Sequence, residues 1–261
     1  LSGKYFIESP RWLAGKGKTE HAHQSLLDIE RRVAKEKKIA FTDVIPLARP
    51  AANGANKDGF MQLFRGAMLR RTLVAITVLV AMNISLYTIT VWIPTIFVNS
   101  GIDVTKSIMM TAVIMVGAPV GIFIAALVID KFPRKWFGSV LLMIVALLGY
   151  CYSLQKEEWA ILSIGLILIF FLYMYVCFAS AVYVPELWPT HMRLRGSGFV
   201  NAVGRIVAVF TPYGVASLLT NYGAYAVFSV LGGLLFCCSL ILFVFGIETR
   251  MVSLEEISSL S

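Results

Sequence analysis

Pro185-Glu186-Leu187-Trp188-Pro189-Thr190-His191-Met192-Arg193-Leu194-Arg195-Gly196 is a charged, proline-bracketed connector between two long apolar runs, and its reading decides the fold. A soluble domain would bury neither run easily, and a plain membrane anchor has no need of so specific a connector. Working outward, apolar segments of about twenty residues, the length that crosses a hydrocarbon core of roughly 30 Å, recur six times. They lie near 72–98, 107–129, 136–154, 159–182, 197–219 and 224–246. Each must be helical, because hydrocarbon offers the backbone no hydrogen-bond partner. A chain that is 58% hydrophobic and 15% charged, with mean hydropathy +0.77, lies well outside the soluble range. The expected fold class is all-α, a polytopic transmembrane helical bundle.

The cations set the orientation. Twenty of the 23 Lys and Arg fall in residues 1–71, 131–135 and 193–195 or at Arg250. Only Lys106 and Lys156 lie on the opposite side, and Arg205 falls inside a span. The positive-inside rule therefore places residues 1–71, the 130–135 and 183–196 connectors and the C-terminus in the cytoplasm. Topology accounts for the pI of 9.4, and no nucleic-acid partner is needed. Cys151, Cys177, Cys237 and Cys238 all fall in apolar spans and read as small packing residues, not as a disulfide framework or metal site. The chain opens at Leu1 in a charged segment with no signal peptide, which reads as the C-terminal part of a longer protein. No Gly-x-Ser-x-Gly elbow, phosphate-cradling loop or metal-spaced His/Cys cluster stands behind an enzymatic reading. No cofactor is expected, and His21 and His23 read as a pair in a solvated loop.

Three regions follow. Residues 1–71 form a cytoplasmic loop with short amphipathic helices; over 20–38, Leu26, Leu27, Ile29 and Val33 recur among dense charges. The 48–59 stretch is a loop rich in Asn, Gly and Pro, and 60–71 is an amphipathic lead-in with Arg65, Arg70 and Arg71 at headgroup level. Residues 72–247 form the six-helix bundle, and 248–261 a cytoplasmic tail. Outer loops are too short for an external domain. Glycines punctuate the spans, where small residues let membrane helices approach closely or bend.

Four patterns fall into register along the chain: Glu8-Ser9-Pro10-Arg11-Trp12-Leu13, Asp130-Lys131-Phe132-Pro133-Arg134-Lys135, the 185–196 connector, and Glu248-Thr249-Arg250 with Ser253-Leu254-Glu255-Glu256-Ile257. Together they resemble the C-terminal half of a major facilitator superfamily transporter. The resemblance is to the branch of sugar porters and organic-ion transporters, including bacterial metabolite:proton symporters of the nicotinate-carrier kind. It departs where the family's loop motif has Gly and this chain has Ala126 and Pro133, and where the tail reads Ile247-Glu248-Thr249-Arg250-Met251 in place of Pro-Glu-Thr-Lys-Gly. The resemblance implies six spans of a twelve-helix fold in a bacterial inner membrane. It further implies a small-molecule substrate, the lipid bilayer and an N-terminal six-helix half as partners, with a proton as candidate co-substrate. In that frame Asp130, Arg134, Glu186, Arg193 and Arg195 form a gating charge network at cytoplasmic helix ends; the plainer alternative is that they mark the membrane boundary.

Arg205 is the single ionisable group well inside a span. A charge at a helix centre costs at least about 2.5–3.5 kcal/mol, so it should face a polar cavity or a partner. A guanidinium fork suits a carboxylate bidentately. Alternatively, Arg205 snorkels to the cytoplasmic surface or pairs with a carboxylate of the other half. Its place seven residues before Pro212 resembles a position in organic-ion transporters where Arg accompanies anionic substrates. Asn201 opens the same stretch. Asn83, Tyr87, Thr88 and Trp92 recur along the first span at roughly helical spacing, and Tyr173 on the fourth could supply an aromatic wall beside Tyr175 and Phe178. Asn83 resembles an Asn of sugar porters, but Thr77 and Val78 stand where those carry paired glutamines, and Ala181 where they carry Trp. The expected substrate is a small organic anion, an aromatic or heterocyclic carboxylate. A sugar or polyol porter, an organic-cation transporter and a non-transporting receptor are the alternatives. No Asp or Glu lies deep in any span, so a proton-coupling carboxylate would belong to the other half or to Asp130 and Glu186.

Overall fold

The computed structural model describes residues 9–15, 17–37, 60–99, 101–155, 157–189 and 192–250. Glu8, the 48–59 loop, Lys156, Thr190, His191 and the tail from Met251 onward lie outside them. The chain divides into two compact units, residues 1–57 and 58–261. In the first, a short helix α1 (Pro10–Gly15) packs against α2 (Thr19–Lys37). Gly17, at φ 78°, makes the turn between them, and Leu13 and Ala22 are buried. Leu26, Leu27 and Ile29 remain exposed along α2.

The second unit is built from apolar helices. A 3₁₀ turn (Phe60–Phe64) leads into α3 (Gly66–Asn99). Then come α4 (Val104–Met115) and α5 (Gly117–Val128), α6 (Arg134–Ser153), α7 (Glu158–Cys177), a short α8 (Val184–Glu186) and α9 (Arg193–Phe245). Among the described residues, five stretches are long and apolar enough to cross a membrane; α4 and α5 form one of them. The fifth, 53 residues long, is two helices across a kink at Gly223 (φ 78°, ψ −179°). That backbone region is essentially open to glycine alone. The six expected spans are therefore present, and the last two meet at one residue instead of at a loop.

Polar and small side chains set the ends and the contacts. Gly101 (φ 86°) closes α3, its N–H donating to the Val98 carbonyl at 3.0 Å while that of Ile102 donates to Phe97 at 3.1 Å, a Schellman-type stop. Asp103 caps α4, accepting from the Thr105 N–H at 2.9 Å. Gly117 and Gly121, four apart on α5, lie directly on α7: a Cβ there would stand 2.5 Å from the Leu166 carbonyl oxygen and 2.3 Å from that of Phe170. This close approach of backbones is what small-xxx-small spacing permits. Gly138 on α6 similarly makes room for the Phe178 ring. The first limb of α9 packs on α3 through Gly204, whose hypothetical Cβ would lie 2.8 Å from Asn83 Nδ2. The second limb packs on α6, where Ser239 Oγ donates to the Ser139 carbonyl at 2.8 Å. Tyr175 Oη ties α7 to α3, donating to the Val78 carbonyl at 3.1 Å. Large apolar side chains including Phe123, Leu147, Val209 and Phe236 point outward, as helices surrounded by hydrocarbon require.

Candidate functional site

Two polar clusters stand out against this apolar bundle. The first lies where α3 meets the first limb of α9. Asn83 is buried, and its Nδ2 donates to the Leu79 carbonyl one turn back at 2.8 Å. One turn on, the half-buried Tyr87 presents its hydroxyl to α9, and Arg205 Nη1 donates to it at 2.8 Å. Arg205 itself is exposed, and Asn201, one turn earlier on α9, is exposed with its Nδ2 on the Ser197 carbonyl at 2.8 Å. Tyr87 and Arg205 thus meet across two helices with Asn83 and Gly204 packed directly beside them. The partner of Arg205 among the described residues is a neutral phenol and not a carboxylate. Trp92 and Tyr173 are half-buried, and among the described residues neither makes a hydrogen bond or ring contact with Arg205. The structure therefore brings two of the six proposed substrate residues into direct contact, places Asn83 and Asn201 within a turn of them, and leaves Trp92 and Tyr173 apart.

The second cluster lies at the other kind of place, the helix ends. Arg134 opens α6 with a side chain only 8% exposed. Its Nη2 donates to Asp130 Oδ1 at 2.7 Å, its Nε to Glu186 Oε2 at 3.2 Å, and its Nη1 to the Ile129 carbonyl. Bidentate contact with Glu186 is completed by Nη2 to Oε1 at 3.3 Å, the fork-to-carboxylate geometry that makes Arg pairs directional. Asp130, Arg134, Glu186 and Arg193 line one cavity of about 290 Å³. Arg193 Nε is buried there with no hydrogen-bond partner among the described residues. Arg195, two residues on, is exposed and does not line that cavity.

The residues after the last span join the same cluster. Glu248 accepts the backbone N–H groups of Arg134 (2.8 Å) and Lys135 (3.2 Å). It thereby supplies a carboxylate to the N-terminus of α6, whose N-cap position is Pro133 and makes no side-chain cap. Thr249 Oγ1 donates to Glu186 Oε2 at 2.6 Å. Tyr183 Oη lies 3.0 Å from both the Ile247 N–H and its carbonyl oxygen. Sequence reasoning quoted Glu248 and Thr249 as part of a motif without assigning them a contact. The signal was available in Pro133, which leaves a helix start uncapped by its own side chain. The α7 helix reaches this cluster through a π-helical stretch, Phe178–Tyr183, which places Tyr183 and Glu186 toward the tail. At the opposite end of the bundle, Lys106 on α4 and Glu158 on α7 form an exposed ion pair that the charge pattern alone did not single out.

Comparison with known proteins joins these observations. The family model described as "Sugar (and other) transporter" matches residues 3–260. The chain is 70% identical over its whole length to the inner membrane metabolite transport protein YdjE of Escherichia coli (strain K12), of which it spans 58%. It is 26% identical, over 96% of its length and 56% of the relative's, to the niacin transporter NiaP of Acinetobacter baylyi. Its fold matches the solved structure of the major facilitator superfamily proton:xylose symporter XylE with a TM-score of 0.67. That match covers 98% of this chain and 55% of XylE at 18% identity. The chain thus spans little more than half the length of the proteins it matches. With six apolar spans in the fold of a solved transporter and a family model matched almost end to end, the chain belongs to the sugar (and other) transporter family.

Proposed function

We propose that this chain forms the C-terminal half of a secondary transporter that carries a small organic anion across the bacterial inner membrane. The observation that carries the substrate class is the Arg205–Tyr87 contact. A guanidinium inside a span must be satisfied, and here a phenol holds one of its nitrogens at 2.8 Å while no carboxylate among the described residues pairs with its charge. A carboxylate entering from the exposed side of α9 would supply that charge and the second half of a bidentate contact. Asn201, on the same exposed face, would hydrogen-bond a second substrate oxygen, while Asn83, bonded to the Leu79 carbonyl of its own helix, packs beside Gly204. Trp92 and Tyr173 would contribute aromatic walls from farther along their helices. The likeness to a niacin transporter supports a heterocyclic carboxylate, and proton coupling fits the likeness to a proton symporter.

In this reading the other six-helix half closes over the exposed face, and transport follows from rocking of the two halves around a midplane site. Asp130, Arg134, Glu186, Arg193 and Arg195 would hold the cytoplasmic side shut in one state and separate in the other. A sugar or polyol substrate is the second reading. It is favoured by the family's description and by Asn83, which sits buried beside the site as a neutral hydrogen-bonding side chain.

Uptake of labelled small carboxylates, nicotinate among them, by cells expressing the full-length protein tests the proposal. Wild type is run beside Arg205→Ala and Arg205→Lys at matched surface expression, with sugars and organic cations as competitors. We expect both substitutions to reduce carboxylate uptake at least tenfold, as loss of a charge-assisted bidentate contact implies. Uptake that survives both makes Arg205 a structural residue. Sugar flux with no carboxylate flux overturns the substrate class and leaves the fold untouched.

A further inference from the structure

One recess in the bundle unit belongs to neither cluster. A groove of about 550 Å³ runs between the start of α3 and the end of α9, lined by Leu69, Arg70, Leu73, Thr77, Ile241 and Phe245 among others. Its walls are the outward faces of two membrane-length helices: Leu69, Leu73, Ile241 and Phe245 are all exposed. Arg70 Nε donates to the Phe245 carbonyl at 3.0 Å, one of the carbonyls left without an intrahelical partner at a helix C-terminus. That bond fixes the guanidinium at the groove. Among the described residues its two terminal nitrogens donate to no other group. A guanidinium whose terminal nitrogens donate to no described residue, lining an apolar trough, pairs a phosphate-binding head with a hydrocarbon-binding floor.

We infer that this groove is a binding site for an anionic membrane phospholipid, with its phosphate on Arg70 and one acyl chain along Leu73, Ile241 and Phe245. Charge complementarity selects the occupant. The groove opens at the end of the bundle where Arg65 and Arg70 are exposed, while Arg71 is buried against the Leu187 carbonyl, and a basic residue beside a membrane attracts acidic headgroups. An apolar trough with a single cation in its lining suits an amphiphile with one negative head better than a soluble anion, which would leave the trough empty. The site is separate from Arg205, and it stands whether the transported substrate is an anion or a sugar.

The test uses purified, delipidated full-length protein in native mass spectrometry with an equimolar mixture of phosphatidylglycerol and phosphatidylethanolamine of identical acyl chains. Wild type should retain phosphatidylglycerol over phosphatidylethanolamine by about fivefold, the factor that one Arg near an anionic surface contributes. Arg70→Gln should bring the ratio close to one. Leu73→Trp, which fills the trough, should lower retention of both lipids, and soluble glycerol phosphate should not displace the bound lipid. Arg65→Gln, outside the groove lining, should keep the wild-type ratio. An Arg70→Gln protein with the wild-type ratio overturns the inference. So does an equal loss in Arg65→Gln, which would mark a diffuse surface charge. Retention unchanged by Leu73→Trp also overturns it, since the trough would then be covered by the rest of the protein.

Discussion

At Arg134 the energetics turn on how wet each partner is. Its side chain is 8% exposed, that of Glu186 30% and that of Asp130 79%. Coulomb attraction between well-solvated charges is weak, so the Asp130 pair should contribute little, while Glu186 holds a nearly buried guanidinium in a bidentate grip. Glu186→Gln, which preserves shape, should lower the stability of the full-length protein by about 1–3 kcal/mol. Asp130→Asn should cost no more than about 1 kcal/mol. Thermal unfolding of the purified proteins measures both, and equal losses would contradict this ranking. The charges at 130, 134 and 186 were legible in the sequence as a group, because all three fall in connectors on the cation-rich side. Their pairing was not, since nothing in the order of residues says which carboxylate a guanidinium will face. The same holds for Arg205, recognisable as an anomaly in an apolar run but not as a partner of Tyr87, 118 residues away.

Among the elements, the turn at Gly223 is the sharpest case of a single residue deciding a connection. Its φ of 78° and ψ of −179° lie where side-chain-bearing residues are strained by about 1–3 kcal/mol. A Cβ there would meet nothing within 4 Å, so the penalty of Gly223→Ala is one of backbone conformation alone. That substitution should lower stability by this amount. Gly233→Ala, at a helical position with equally open surroundings, should be neutral or slightly stabilising. Melting temperatures of the two variants in the full-length protein decide the matter, and a Gly223→Ala protein as stable as wild type would show that the kink relaxes elsewhere. Sequence reading separated the spans 197–219 and 224–246 by a short outer loop, and the structure replaces that loop with the turn at Gly223. It did not foresee the π-helical stretch over Phe178–Tyr183. An apolar run carries no mark of which hydrogen-bond register its backbone will adopt, because side chains that are apolar all round leave no periodicity from which a register could be read.

For the whole molecule, an even number of spans puts the region before Gly66 and the tail after Phe245 on the same side of the bilayer. The side chains agree: Arg70 at the start of α3 touches the Phe245 carbonyl at the end of α9, and Glu248 meets the start of α6. With the cations on that side, both ends should be cytoplasmic. A C-terminal fusion of green fluorescent protein to the full-length protein should fluoresce in bacterial cells, and a C-terminal alkaline phosphatase fusion should be inactive. An active phosphatase would reverse the orientation. By itself, the sequence determined the class and the number of spans, since these depend on hydropathy, which adds up residue by residue along the chain, and its charge distribution supplied the expected sidedness that the fusions test. Family membership was legible too, because the motifs lie in short connectors where residue order is the signal. Only the tertiary structure decided that Arg205 rests on Tyr87, that Glu248 caps α6 and that Arg70 lines an apolar groove. Those contacts join residues more than a hundred positions apart, and they arise from how the helices pack, where small residues such as Gly121 and Gly204 let backbones approach and so determine which side chains can meet.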